Sequence, residues 1–162
     1  MASGNAIIVS GEPKGVYIDG ILSGTPKPGV CMEMTSIAAV GGRFTWQVYQ
    51  PGTDGEQRLI VVLLEAYLVP GSAATVAYTT GDRVMMYCPA PGEELNMLAK
   101  NIGGTATGSG DSFAIGDVLT VDTGTGKLIA TTGSPEIEPF VVLETVAEIT
   151  ADTLIHVRYT GK

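Results

Sequence analysis

The chain has 162 residues, 44% of them hydrophobic and only 16% charged, with a net charge of −8 and a pI near 4.5. That length fits one domain, or two very small ones, with enough buried surface for a real core. The acidity argues against nucleic acid, since no basic surface is left to displace phosphate counterions, and against anionic membranes.

The charge is uneven. Residues 1–81 carry four basic and six acidic side chains, net −2; residues 82–162 carry five and eleven, net −6. The charged share is below that of a typical soluble domain, which is one way to keep a surface ready for a partner. The start, MASGNAIIVSG, lacks a basic region and a long apolar core, so no signal peptide is expected and the chain reads as cytosolic when made. The longest apolar run, 59–64, is too short to cross a bilayer.

Almost every segment reads as strand and turn. Residues 1–14 form a polar, small-residue arm with a short strand candidate at 6–9. Asp19-Gly20 stands between apolar pairs in GVYIDGIL, 15–22, a hairpin signal. A short run, VCMEM, follows at 30–34. RFTWQVYQ, 43–50, alternates: Phe44, Trp46 and Val48 on one face, Thr45, Gln47 and Tyr49 on the other. With the turn at 51–57 and the β-branched run 58–68, it reads as an antiparallel hairpin.

Two Pro/Gly clusters come next, at 70–71 and 89–92, with a strand, RVMMYC, between them. The first marks a sub-boundary near 70–80 within a β domain of 15–162. Residues 93–100 fit one helical turn or a strand, and strand is favoured because so short a helix is marginal. GGTATGSGDS, 103–112, is a small-residue loop. Strands follow at 117–122 and 127–131, then at 137–148 and 153–159, the last pair joined through Thr150-Ala151-Asp152. No apolar stripe with helical spacing is sustained. The fold class is mainly β: a small barrel or sandwich of hairpins with an extended N-terminal arm.

Gly81-Asp82 and Gly116-Asp117 each stand directly before a strand. Glycine supplies the left-handed backbone and aspartate bonds the amides at the bend, so both read as entry points to barrel strands.

Candidate chemistry is sparse. Asp122-Thr123-Gly124 matches the triad of dimeric aspartic proteases and follows the apolar Leu119-Thr120-Val121. The same residues are what a hairpin turn needs, and that is the favoured reading. A phosphate loop fails on spacing: Val121 stands where glycine is required and Leu128 where serine or threonine is. His156 has no nucleophile in a recognisable setting. Glu136 with Glu138, and Glu144 with Glu148, share strand faces and read as solvated rows rather than glycosidase pairs. Asp111, Asp117 and Asp122 lack calcium-loop spacing. Cys31 and Cys88 each stand alone in apolar runs and read as buried free thiols rather than zinc ligands. The expectation is a non-enzymatic protein without metal or cofactor.

Gly-Asp-Arg-Val-Met-Met-Tyr at 81–87, Gly-Asp-Val-Leu-Thr-Val at 116–121 and Gly-Lys-Leu at 126–128 resemble the head decoration, or capsid cement, proteins of tailed bacteriophages. The likeness covers roughly residues 75–160, closing with PFVVLETVAEI and TLIHVRY. It departs from the family pattern at Val142-Leu143-Glu144-Thr145, and residues 25–70 have no counterpart in it.

The resemblance implies a protein on the outer surface of the virion capsid, present in the host cytoplasm during assembly. Its partners would be the major capsid protein and itself, commonly as a trimer at threefold or quasi-threefold positions, with no nucleic acid or membrane. The apolar Ala6, Ile7, Ile8 and Val9 would then either add a strand to a capsid-protein edge or pair within their own domain. The alternative is a phage tail, fibre or baseplate module, or a carbohydrate-binding surface domain. A dimeric aspartic protease using Asp122 is third.

Overall fold

A computed structural model describes residues 7, 14–35, 42–49, 60–64, 76–100, 112–122, 124–130, 139–147, 149 and 151–161. Among these residues the chain is all β, with ten strands and no helix. In chain order they are β1 (Val16–Leu22), β2 (Cys31–Met34), β3 (Thr45–Val48), β4 (Val61–Leu63), β5 (Arg83–Cys88), β6 (Glu94–Ala99), β7 (Val118–Val121), β8 (Leu128–Ala130), β9 (Phe140–Val142) and β10 (Thr153–Tyr159).

The strands close into two barrels in the orders β1-β3-β2-β4-β5 and β10-β6-β8-β7-β9. Closure removes the free sheet edges that short strands would otherwise expose. Each barrel has one parallel contact, β1 with β3 and β6 with β8, and its other contacts are antiparallel. Replacing β1 to β5 by β6 to β10, in order, turns the first set of pairings into the second.

The equivalence holds residue by residue. Leu22 lies opposite Trp46, and Ala99 opposite Leu128. Met32 pairs with Val48 and Val61, and Leu119 with Ala130 and Phe140. Leu63 faces Met86, which faces Ile18; Val142 faces Val157, which faces Leu95. Backbone hydrogen bonds outside the ladders repeat too. Gly29 donates to the Leu63 carbonyl and Gly116 to that of Val142, each at 2.9 Å. Ser23 donates to Trp46 at 2.7 Å and Lys100 to Leu128 at 2.9 Å. The protein is a tandem of two copies of one five-stranded topology.

Alternation along the strands sets the core. In barrel 1, Leu22, Met32, Trp46, Val61, Leu63, Val84 and Met86 point inward and are buried. In barrel 2 the interior holds Leu95, Met97, Leu119, Leu128, Phe140, Val142, Ile155 and Val157. This second cluster extends to Cys31, Val62 and Tyr87, on the outward rows of barrel 1, so the two barrels share apolar packing. Each such side chain contributes about 1.5–3 kcal/mol on burial.

Barrel 1 also wedges into barrel 2. The Leu98 amide donates to the Gly29 carbonyl at 2.8 Å, and the Cys31 amide to the Gly126 carbonyl at 2.7 Å. Residues 29–31 thereby bridge β6 to the chain entering β8. In barrel 1 the matching seam is closed from within, by the Ile21 amide donating to the Phe44 carbonyl at 3.1 Å.

Two local expectations are corrected. Asp19-Gly20 is not a turn: it lies inside the continuous strand β1, with Gly20 turned inward onto Trp46 and Asp19 outward. Nor do β3 and β4 form a hairpin, because β2 lies between them and pairs with both. β9 and β10 do pair, from Phe140 opposite Tyr159 to Val142 opposite Val157. The path between them is longer than a tight turn, with a bridge from Val146 to Phe113. The junction between the barrels falls between Cys88 and Glu94, downstream of the 70–71 cluster, because β5 is needed to close barrel 1.

Candidate interaction surface

The outward row of β1 carries Tyr17, Asp19 and Ile21, and that of β5 carries Arg83 and Met85. Antiparallel pairing sets Asp19 opposite Met85 and Ile21 opposite Arg83. Tyr17 and Met85 are exposed, although each is a large apolar group on a closed barrel. Phe44, entering β3, is also exposed, but it shares the inward row of Trp46. Large apolar side chains gathered on one face mark a contact surface more often than single exposed ones do.

A charge cluster sits in the middle of this face. The Asp19 carboxylate accepts from Arg83 Nη2 and Arg43 Nε, each at 2.9 Å. Hydrogen bonds from Arg83, then Arg43, hold the Asp19 carboxyl down at about 2. Two guanidiniums on one carboxylate leave the face with a net positive charge. Arg83 is mostly exposed and keeps donors for a partner.

The junction of the barrels carries a second polar group, and this one is buried. Glu93 Oε1 accepts from the Tyr87 hydroxyl and the Lys14 amide, each at 2.5 Å, and Oε2 accepts from the Ala90 amide at 2.6 Å. The Gly15 amide donates to the Tyr87 hydroxyl at 2.7 Å. Burial alone would raise the Glu93 carboxyl, but the bonds from Tyr87, Lys14 and Ala90 outweigh it and hold it low. Burial, reinforced by the bond to Glu93, pushes the Tyr87 phenol far up. The group ties the entry to β1 to the entry to β6. Sequence reasoning missed it, since Glu93 looks like any surface glutamate; the nearby Pro91-Gly92 turn was the available signal.

The turn devices read from the sequence are present. Asp82 accepts from the Thr79 amide at 2.8 Å and Asp117 from the Ala114 amide at 2.7 Å, with Gly81 and Gly116 at φ 95° and 93°. Asp122 lies in the β7–β8 turn, where its amide donates to the Lys127 carbonyl and its carboxylate accepts from Lys100 Nζ at 2.9 Å and from the Thr125 hydroxyl.

Of the four arm residues, Ile7 alone is described. It is buried in its own chain's core, its side chain reaches Gly29, and its carbonyl accepts from the Asn96 amide at 2.7 Å. Ala6, Ile8 and Val9 lie outside the described residues, as do Asp111, Glu136, Glu138 and Glu148. Glu144 accepts from the His156 amide at 3.1 Å, and His156 Nε2 lies 3.2 Å from Glu94. Both cysteines are free thiols: Cys31 is buried, which pushes its thiol far up, and Cys88 is half-buried. Among the described residues no three His, Cys, Asp or Glu side chains gather as a metal site, and no helix is long and apolar enough to cross a membrane.

No protein-family model matches the sequence, and no curated protein matches it significantly. What the residues define is a tandem β-barrel protein whose first barrel presents an apolar face centred on an arginine-bracketed aspartate.

Proposed function

We propose that this chain is a structural protein of a tailed-bacteriophage head: a decoration protein that binds the outside of the assembled capsid and stabilises it against internal DNA pressure. It does so as a homotrimer at threefold or quasi-threefold positions, with the major capsid protein as its partner. The observation that carries this reading is the exposed apolar face of barrel 1 around Tyr17 and Met85. A chain with so few charges has little reason to leave such a face in water unless another protein covers it. The motifs at 81–87, 116–121 and 126–128 support the assignment to phage heads.

The test is co-sedimentation of the purified protein with undecorated phage heads. Binding that saturates at a fixed ratio to the capsid subunit, and that protects heads from bursting on heating, supports the reading. Protein left in the supernatant at all concentrations, or co-assembly with tail tubes instead, contradicts it.

A further inference from the structure

The tandem has one barrel-to-barrel contact satisfied and the equivalent contact left open. The corner Pro28-Gly29-Val30 enters β2 and is buried. Gly29 packs there on Leu98 and Leu154, on the outward rows of β6 and β10. The register converts Pro28-Gly29-Val30 into Ile115-Gly116-Asp117, and Leu98 and Leu154 into Ile21 and Arg83. Both converted surfaces carry exposed side chains. Ile115 is 67% exposed, with Gly116 and Asp117 exposed beside it. On barrel 1, Met85 and Arg83 are exposed beside the half-buried Ile21.

We infer that the Ile115-Gly116-Asp117 corner of one copy docks on the Ile21, Arg83 and Met85 face of barrel 1 in a second copy. The contact repeats between chains what barrel 1 makes with barrel 2 within a chain. The apolar parts match, Ile115 against Ile21 and Met85. So do the charges: Asp117 meets a face carrying Arg43 and Arg83, and the half of the chain that supplies the corner holds most of the acidity. The backbone bond from Leu98 to Gly29 has no counterpart here, because the Ile21 amide already donates to Phe44. The docking therefore rests on side chains and is weaker than the contact inside the chain. Corner and face are different surfaces, so the contact is head-to-tail and builds a ring of barrels when its rotation closes. This deepens the self-association in the proposed function and names its surfaces; it requires nothing of the capsid.

Purified full-length protein, without phage heads, tests it by analytical ultracentrifugation. Wild type is expected to sediment as a closed oligomer. Ile115→Asp and Met85→Glu both alter exposed side chains, and each is expected to weaken association by about tenfold or more while circular dichroism and the unfolding transition stay unchanged. Mixing the two variants leaves one intact corner and one intact face. The mixture is expected to form a 1:1 dimer and stop there, since the other contact opposes two carboxylates. A monomeric wild type, variants that assemble as well as wild type, or a mixture that stays monomeric would each overturn the inference. Head binding by a protein that fails this test would leave the capsid reading standing and remove only the head-to-tail contact.

Discussion

Gly20 in β1 faces Trp46 in β3 so closely that a Cβ added to the glycine would lie 2.3 Å from the indole Cδ1. The equivalent pair in barrel 2 is Met97 and Leu128, two residues of nearly equal volume. The two barrels fill the same interior position by different divisions of volume, as close-packed cores require.

Gly20→Ala is therefore expected to cost about 1–3 kcal/mol from overpacking, and Trp46→Leu about 3–5 kcal/mol from the cavity left behind. Together they move barrel 1 toward the division used in barrel 2, so the double variant should be more stable than the sum of the single losses by about 1 kcal/mol or more. Urea unfolding of the four proteins checks this. Strict additivity would mean that the pair does not share space as the registers indicate.

Glu93 joins the barrels through bonds from Tyr87, Lys14 and Ala90. Glu93→Ala leaves a buried phenol and two amides without their acceptor, with an expected loss of about 2–4 kcal/mol. Glu93→Gln keeps one acceptor and should lose less. The folded carboxyl is held below its ordinary value of 4.5. Its contribution is thus complete above that value and fades as pH falls through the lower, folded one. Acid unfolding of wild type and Glu93→Gln should converge at low pH.

Asp19 follows the same sign in an exposed setting. Its carboxyl sits at about 2 in the folded chain against 3.8 in the unfolded one. Its stabilising effect is present above pH 3.8 and is lost as pH falls toward about 2. Asp19→Asn should differ from wild type at neutral pH and match it near the bottom of that window, with salt shrinking the difference because the pair is at the surface. A difference constant from neutral to acid pH would rule out the charge as its source.

Ile7 is fully buried. Ile7→Ala is expected to cost about 2–5 kcal/mol, and deletion of residues 1–12 at least as much. Calorimetry of the two variants checks this. Unchanged melting would mean that the seat beside Gly29 adds nothing to stability.

Much of the secondary structure was legible because it rests on local chemistry. RVMMYC became β5, and EELNMLAK became β6 rather than a helix. Asp122 and Gly124-Thr125-Gly126 lie in the turn between β7 and β8, which pair as expected. The misread parts depended on distant neighbours. Asp19-Gly20 has turn composition, but the glycine is there for the Trp46 indole and the aspartate for Arg43 and Arg83. β3 and β4 are adjacent in sequence and separated in space by β2, which no local signal reveals.

The duplication stayed hidden because pairing register preserves shape without preserving residue type: Trp46 answers to Leu128 and Val61 to Phe140. The Gly81 and Gly116 bends, which do look alike, are not equivalent positions; Gly116 corresponds to Gly29. The interaction face was illegible for the same reason. Tyr17 and Met85 lie far apart in the chain, and pairing brings them to one side of barrel 1.

Hydroxyl-radical footprinting of the protein, first dilute and then assembled on phage heads, measures most directly whether that side of barrel 1 is an assembly surface. Met34 is exposed on the inward row of β2, away from the proposed contact, and serves as the internal reference. The expected result is that Met85 and Ile115 lose reactivity on assembly while Met34 keeps it. Undiminished oxidation of Met85 in decorated heads would contradict the account.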